Sequence, residues 1–278
     1  MSITVEQCID KTPIVPFLKW AGGKRWITRR NLEIAPPKYE TYIEPFLGSA
    51  AVFFHLQPEA GILADKNRQL IEVYKAIRSD WRAVERQLST YVNLHSGDFY
   101  YEERSRKRKM PHTRAAQLIY LNRTCWNGLY RVNLNGKFNV PRGTKNEVVL
   151  PSDNFEKIAE ILENVQLRTS DFVDTIRLAR DGGFIFADPP YTVKHNMNGF
   201  VKYNENIFSW KDQIRLRDAL KRAMARGVQF SMTNADHDSV KELYKDFPFM
   251  EEVPRNSVLA GKSEARTLTT ELLVRSWK

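Results

Sequence analysis

The 278-residue sequence has few cysteines and no cluster of histidines, and each shortage excludes a class of site. The two cysteines, Cys8 and Cys125, lie far apart, so they provide neither zinc-ligand spacing nor a disulfide framework. Neither has an evident histidine partner in the sequence, which disfavours a cysteine nucleophile. The five histidines occur singly, which argues against a metal centre.

Membrane and secretion signals are also missing. The sequence contains no run of 18 apolar residues, and no basic amphipathic helix stands out. Residues 1–11 lack the apolar core of a signal peptide. We therefore expect a protein of the reducing cytoplasm that makes no membrane contact.

Positive charge, in contrast, is abundant. Lys and Arg number 43 against 33 Asp and Glu, and the net charge of +10 favours a polyanionic partner such as nucleic acid. Five of the six residues 104–109 are basic. A solvated helix face or loop is the favoured interpretation of this run, and phosphate contact is the alternative.

The most informative stretch is Asp188-Pro189-Pro190-Tyr191, which follows the apolar run 183–187. Such a run is typical of a buried parallel strand, and two prolines end it at the sheet edge where ligands bind. The Asp188 carboxylate and the Pro189 carbonyl are suited to accept the two N–H bonds of an exocyclic amine, which would expose its lone pair. Tyr191 is suited to stack on a flipped base. By itself, the stretch is almost equally compatible with a turn that carries a surface aromatic residue.

Three further strand ends carry candidate ligand residues. The predicted strand 41–46 runs into a turn at Gly48, where a ligand can approach the backbone closely. Strand 61–64 ends in Asp65, the position that usually holds ribose hydroxyls in such sheets. Strand 165–170 ends in Asp171 and Phe172, an acid and a ring that suit the adenine of a cofactor.

Between about residues 70 and 165 the α/β alternation stops, and the segment is helical and basic. The periodicity predicts helices at 69–77, 81–92, 113–122 and 154–162. Residues 123–141 contain two turn dipeptides and predict a polar hairpin with aromatic and basic side chains. This hairpin is either an ordinary exposed loop or a probe of a DNA groove, where Arg pairs with guanine and Asn with adenine.

The rest of the chain returns to α/β order. Helices are predicted at 210–225 and 239–244, a strand at 228–233, and a closing β-hairpin from 250–255 and 268–276 with 260–263 in its loop. Residues 192–206 are polar and predict a mobile lid over the site.

Five motifs resemble those of Dam-type DNA adenine-N6 methyltransferases. Their order along the chain, cofactor motifs, recognition region and catalytic motif, is that of the α group of this family. They occupy 17–24, 44–50, 63–67, 121–141 and 188–191. The resemblance spans roughly residues 16–275 and implies a class I, Rossmann-like α/β sheet. It implies a catalytic domain of residues 16–68 and 164–278, a flexible leader at 1–15, and an inserted, mainly helical target-recognition domain at 69–163 that bears the β-hairpin.

The resemblance also implies the partners and the site residues. It implies S-adenosylmethionine as cofactor without a metal, and double-stranded DNA as the partner. The sequence leaves the oligomeric state open, with a monomer favoured. Catalytic residues would be Asp188, Pro189, Pro190 and Tyr191. Cofactor-binding residues would be Trp20, Lys24, Phe46, Gly48, Asp65, Asp171, Phe172 and Asp188. DNA-binding residues would be Lys19, Trp126, Asn127, Leu129, Arg131, Asn133 and Pro141.

Two of these positions bear on the target sequence. Lys19 and Arg131 match residues that contact bases of a GATC site, and Trp126 stands where the family often has a tyrosine that fills the gap in the duplex. Residues 142–145 lack the aromatic residue expected near Lys145, so GATC is a hypothesis for the target.

The predicted function is methyl transfer to adenine N6 in duplex DNA by base flipping, in a bacterial or phage-infected cell. Three alternatives stay open. Methylation of cytosine N4 uses the same geometry, although Asp188 favours adenine. An RNA methyltransferase is disfavoured by the hairpin, because A-form RNA hides its major groove. A catalytically silent DNA-binding regulator would have no need for Lys24, Asp65 and Asp188 together.

Overall fold

The structure is a computed structural model, and it describes residues 3–4, 13–28, 30, 32–128, 130–133, 136–194, 208–256 and 268–278. Its strands are β1 (Ile3–Thr4), β2 (Lys38–Tyr39), β3 (Thr41–Glu44), β4 (Gly61–Asp65), β5 (Val165–Thr169), β6 (Gly183–Ala187), β7 (Gln229–Ala235), β8 (Phe249–Asn256) and β9 (Leu268–Arg275). Its helices are α1 (Ala51–Leu56), α2 (Arg68–Leu94), α3 (Gly97–Ser105), α4 (Pro111–Thr124), α5 (Phe155–Ile161), α6 (Phe172–Arg177), α7 (Trp210–Met224) and α8 (Asp238–Tyr244).

Seven strands form one mostly parallel sheet in the order β5-β4-β3-β6-β7-β9-β8. The first five of these are parallel to one another, and the β8–β9 hairpin joins the edge of β7 antiparallel. All five residues of β6 are buried, as expected for a central strand that helices cover on both faces. The carboxyl ends of β3, β4 and β6 therefore lie side by side at one edge of the sheet.

Polar side chains define where several helices begin. Asn67, Ser96, Asn154 and Asp171 each accept a hydrogen bond from a backbone N–H in the first turn of the helix that follows. Ser209 and the first turn of α7 form a reciprocal capping box. These caps fix the residues at which the helices begin.

The segment between β4 and β5 is helical. Its described residues add no strand to the seven-stranded sheet. Helix α2 combines the two predicted helices, with a kink at Asp80, whose carboxylate accepts a hydrogen bond from Ala83 N. Helix α4 buries Ala115, Ala116 and Ile119 in the larger of the two apolar cores.

Most predicted elements are confirmed to within a few residues, and the α/β fold class is confirmed. Helices α3 and α6 were missed. The predicted hairpin exists without regular strands: it is closed by isolated bridges between Val132 and Phe138 and between Cys125 and Arg142. Asn127-Gly128 lies in a 3-10 turn at its base instead of forming a hairpin turn. The predicted lid and the 260–263 loop fall largely or wholly outside the described residues.

No helix in the described part of the chain combines the length and the apolar character needed to cross a bilayer.

Candidate active site

Asp188 follows the last residue of β6, where two prolines end the strand. Its Oδ1 atom lies 2.8 Å from Nζ of Lys24 and accepts a hydrogen bond of 2.8 Å from the hydroxyl of Thr233, near the end of β7. Burial raises the pKa of the Asp188 carboxyl, an effect that Lys24 opposes and the nearby Glu271 carboxylate reinforces. The site thus holds a carboxylate through one of its two oxygens.

Lys24 is almost wholly buried, with 3% of its side chain exposed. Its ammonium donates to Gly22 O at 2.6 Å, and it lies 3.6 Å from Oε2 of Glu271 and 5.0 Å from the ring centre of Tyr191. A buried ammonium requires such partners, because desolvation penalises its charge. The predicted residues Lys24, Asp188 and Tyr191 are therefore brought together in one charged cluster.

Tyr191 is half-buried and donates its phenol hydrogen to Oε2 of Glu271 over 2.6 Å. Burial raises the pKa of this phenol well above its ordinary value, and the carboxylates of Asp188 and Glu271 add to the shift. Pro189 is buried and Pro190 is half-buried between them. Tyr191 is therefore a neutral, anchored ring beside the carboxylate.

The turn after β3 lies next to this cluster. Gly48 has a φ of +48°, and a side chain at this position would meet the Trp20 ring at 3.0 Å. Its N–H donates to Oδ2 of Asp65 at 3.2 Å, and Asn67 N donates to Oδ1 at 2.8 Å. Burial raises the pKa of Asp65, and these two donors oppose the shift. Trp20, Gly48 and Asp65, which belong to three separate motifs of the sequence, are therefore brought together in the structure.

Phe46 and Phe172 form a third group, with stacked rings whose centres are 5.2 Å apart. Asp171 is the N-cap of α6, and its Oδ1 also pairs with Arg215 at 2.8 Å. The guanidinium of Arg215 lies 4.8 Å from the ring centre of Phe172. The acid and the ring predicted at this strand end are adjacent, and the carboxylate already has internal partners.

Residues of the predicted recognition segment connect to this edge at its base. Asn122 is fully buried: it accepts from Lys19 N at 2.9 Å and donates to Lys19 O at 2.8 Å and to Gly128 O at 3.2 Å. Tyr130 stacks on Trp20 with ring centres 5.0 Å apart. Burial and the neighbouring Lys145 lower the pKa of Lys19. The segment is therefore fastened to Lys19 and Trp20.

The other predicted DNA-binding residues lie further along this segment and are more exposed. Trp126 is 53% exposed, and its backbone N–H donates to Pro141 O. Asn127 has a φ of +56°. Arg131 Nε donates to Asn139 at 3.0 Å, and Asn133 O and Oδ1 accept hydrogen bonds that close the turn. Leu129 lies outside the described residues.

The basic run 104–109 is partly structural. Arg108 forms a double hydrogen bond with Glu103, which is fully buried, and Arg104 donates to Val140 O. Lys107 and Lys109 are exposed. Only part of the run is therefore available to a polyanion.

Sequence reasoning missed several residues of the site. Thr233 and Glu271 lie on strands that carry no recognised motif. Thr233 had one signal, its position near the end of a predicted parallel strand. Glu44 is a buried acid in β3 that accepts the Tyr42 hydroxyl at 2.8 Å. Burial raises its pKa well above the usual range, and Asp188 and Asp65 reinforce the shift. Glu44 begins the motif 44–50, but no role of its own was predicted for it.

The chain is similar to known proteins over most of its length. The family model of D12 class N6 adenine-specific DNA methyltransferases matches residues 20–258. The chain is 34% identical to "Type II methyltransferase M1.LlaDCHI" of Lactococcus lactis subsp. cremoris, over 96% of this chain and 97% of that one. It is 34% identical to "DNA adenine methylase" of Serratia marcescens, over 82% and 86% of the two chains. It is 31% identical to "DNA adenine methylase" of Escherichia coli strain K12, over 82% and 84%.

These matches cover most of the chain and confirm the resemblance drawn from its motifs. They also confirm the predicted enzyme class, a DNA adenine-N6 methyltransferase. The family implies S-adenosylmethionine as methyl donor and DNA as substrate. The chain belongs to the D12 class of N6 adenine-specific DNA methyltransferases.

Proposed function

We propose that Asp188, Pro189, Pro190 and Tyr191 are the catalytic residues, and that they act on an adenine flipped out of duplex DNA. The observation that carries this proposal is the asymmetry of Asp188. Both of its described donors, Lys24 and Thr233, reach Oδ1. Oδ2 is therefore the oxygen that remains to accept an N–H of the target amine.

The chain's own residues would prepare the amine for attack. The Asp188 carboxylate and the Pro189 carbonyl accept its two N–H bonds, which draws the nitrogen toward tetrahedral geometry and exposes its lone pair. The amine loses its proton after methylation, so no general base is needed beforehand. Tyr191 stacks on the flipped base and fixes its plane. The site also supplies proximity and alignment of the two reactants.

The cradle of Trp20, Gly48 and Asp65 fits the methyl donor. A side chain at residue 48 would fill the space beside Trp20, and a buried carboxylate lies at the strand end suited to ribose hydroxyls. Lys24, Phe46, Asp171, Phe172 and Asp188 would complete the binding site. When bound, S-adenosylmethionine supplies a methyl group made electrophilic by its sulfonium, so the proposal requires neither a metal nor a covalent enzyme intermediate.

Recognition of DNA is assigned to the segment that carries Trp126. Lys19 and Arg131 would contact bases, with GATC as the hypothesis for the target, and Trp126 would fill the gap left by the flipped base. Asn127, Leu129, Asn133 and Pro141 would shape the same surface. The net charge of +10 supports phosphate contact. We propose a monomer acting in the cytoplasm of a bacterial or phage-infected cell.

A methyl-transfer assay tests this proposal. The protein is incubated with tritiated S-adenosylmethionine and with duplexes that contain or lack GATC, and the nucleosides are then separated. Label in N6-methyladenine only from GATC duplexes is the expected result. Label in adenine of other sequences would keep the chemistry and discard the target. Label in cytosine would contradict the assigned reaction.

A further inference from the structure

Glu271 is a buried carboxylate that the proposed reaction does not use. It lies in β9, opposite Ala235 of β7 and Val253 of β8, and its side chain is 5% exposed. Strand β9 joins the sheet antiparallel and lies far from the motifs in the sequence. In space, Glu271 nevertheless lies at the same edge of the sheet as Asp188. Its place in the fold therefore calls for a functional explanation.

Both oxygens of Glu271 are engaged. Oε2 accepts the Tyr191 hydroxyl at 2.6 Å and lies 3.6 Å from Nζ of Lys24. Oε1 pairs with Arg255 of β8. The Glu271 carboxylate thus contacts both the Tyr191 hydroxyl and the Lys24 ammonium, which itself pairs with Asp188.

Packing alone does not account for this arrangement. A buried ion pair is frequently no more stabilising than apolar residues of similar volume, because desolvation of the charges offsets their attraction. A carboxylate, unlike an apolar side chain, accepts a directional hydrogen bond from the Tyr191 hydroxyl. This bond fixes the hydroxyl end of the ring and restricts its movement. It also offers the Lys24 ammonium a second anion, which keeps the cation near Asp188 when Asp188 accepts a new donor.

We propose that Glu271 is a positioning residue for methyl transfer, which holds the Tyr191 ring through its hydroxyl and shares the Lys24 ammonium with Asp188. The inference rests on the proposed roles of Asp188 and Tyr191. Glu271 itself does not touch the reacting atoms. The rival role is structural, an ion pair with Arg255 that joins β8 to β9.

A double-mutant cycle between Glu271→Gln and Tyr191→Phe separates the two roles. Single-turnover methylation is measured at saturating DNA and S-adenosylmethionine, so that weaker binding does not contribute to the rate. Glu271→Gln should lower the rate about tenfold, and Tyr191→Phe should lower it less. Because Tyr191→Phe removes part of what Glu271 holds, the double variant should match Glu271→Gln alone. Rates that multiply would overturn the proposal.

Two further variants control for folding. Glu252→Gln removes an exposed carboxylate from β8 and should leave the rate and the melting temperature unchanged. Arg255→Met breaks the ion pair but leaves both contacts of Oε2, so it should lower the rate less than Glu271→Gln does. Equal losses in Arg255→Met and Glu271→Gln, with matching drops in melting temperature, would assign Glu271 to the structural role.

A duplex with 2-aminopurine at the target position gives a readout that is independent of turnover. An anchored Tyr191 ring quenches the flipped base by stacking, so the Glu271→Gln complex should fluoresce more brightly than the wild-type complex. Equal emission, or a wild-type rate in Glu271→Gln, would refute the inference alone. A wild-type protein that methylates no adenine would overturn the proposed function, and this inference with it.

Discussion

The carboxyl edge of the sheet and the proposed recognition segment, residues 123–141, are held in different ways. At the sheet edge, Lys24, Asp188 and Glu271 hold one another through buried contacts. Asn122, directly before the segment, fastens its start through a hydrogen bond to Gly128 O, whereas about half of the Trp126 side chain is exposed. These buried contacts preorganise the edge, as the proposed electrostatic catalysis requires. The segment presents side chains whose final partners would come from DNA.

The largest effect is expected from Asp188→Ala, which alters the sheet edge alone. It removes the carboxylate that accepts the amine and leaves the recognition segment untouched. We expect the single-turnover methylation rate to fall by about 10²–10³-fold, as for loss of one preorganised group. Affinity for duplex DNA, measured by gel shift, should change comparatively little. A near-normal rate in this variant would remove Asp188 from its assigned role.

The base of the recognition segment is tested by Asn122→Ala. The buried Asn122 side chain makes three hydrogen bonds to Lys19 and Gly128, and their backbone groups would lose this partner. We expect the free energy of unfolding to fall by about 1–3 kcal/mol. Discrimination between target and scrambled duplexes should also fall, because Lys19 and the turn lose their common support. Denaturant unfolding and competitive binding measure the two effects, and unchanged discrimination would contradict the assigned support.

The exposed part of the segment is tested by Trp126→Ala. The ring is half exposed, so the melting temperature should stay within error of the wild type. Stacking of one aromatic ring on DNA contributes about 1–3 kcal/mol, so we expect a loss of DNA affinity of roughly tenfold. Phe138→Ala at a half-buried position nearby serves as a comparison, because it should lower stability instead. Unaltered affinity in Trp126→Ala would exclude Trp126 from the interface.

The smallest expected effect is a shift in the pH profile of Thr233→Val. Burial and the Glu271 carboxylate raise the pKa of Asp188. Lys24 and the hydrogen bond from Thr233 lower it. The carboxylate is the active form, so the rate is lost as the pH falls through this pKa. Removal of the hydroxyl raises the pKa, and the acid limb of the single-turnover rate should move to higher pH. Thr233→Ser keeps the donor and should keep the limb. A shift to lower pH would contradict the assignment.

The sequence predicted the sheet edge well because parallel strands obey simple rules. Apolar runs that end in Asp65 and Asp188 place both acids at one edge whatever the loops do. Helix α6 was missed because Asp171 and Phe172, which cap and begin it, were interpreted only as ligand residues at a strand end. Glu271 was missed because it comes from an antiparallel strand, whose contact with Tyr191 depends on register across the sheet and leaves no local signal.

The recognition segment was predicted less well, for a physical reason. Turn dipeptides indicated a hairpin, but Asn127-Gly128 lies in a 3-10 turn that packs on Lys19. Tertiary contact with Asn122 decided this conformation, and propensity did not. The part of the site that was hardest to predict is therefore the part with the fewest regular hydrogen bonds.

One paired measurement tests most directly whether the sheet edge supplies the chemistry and the segment 123–141 supplies DNA recognition. The single-turnover methylation rate and the DNA dissociation constant are determined for Asp188→Ala and Trp126→Ala in the same buffer. At saturating DNA, Asp188→Ala should change mainly the rate, and Trp126→Ala mainly the dissociation constant. If either variant changes both quantities by similar factors, the chemistry and the recognition are not separable, and the account is contradicted.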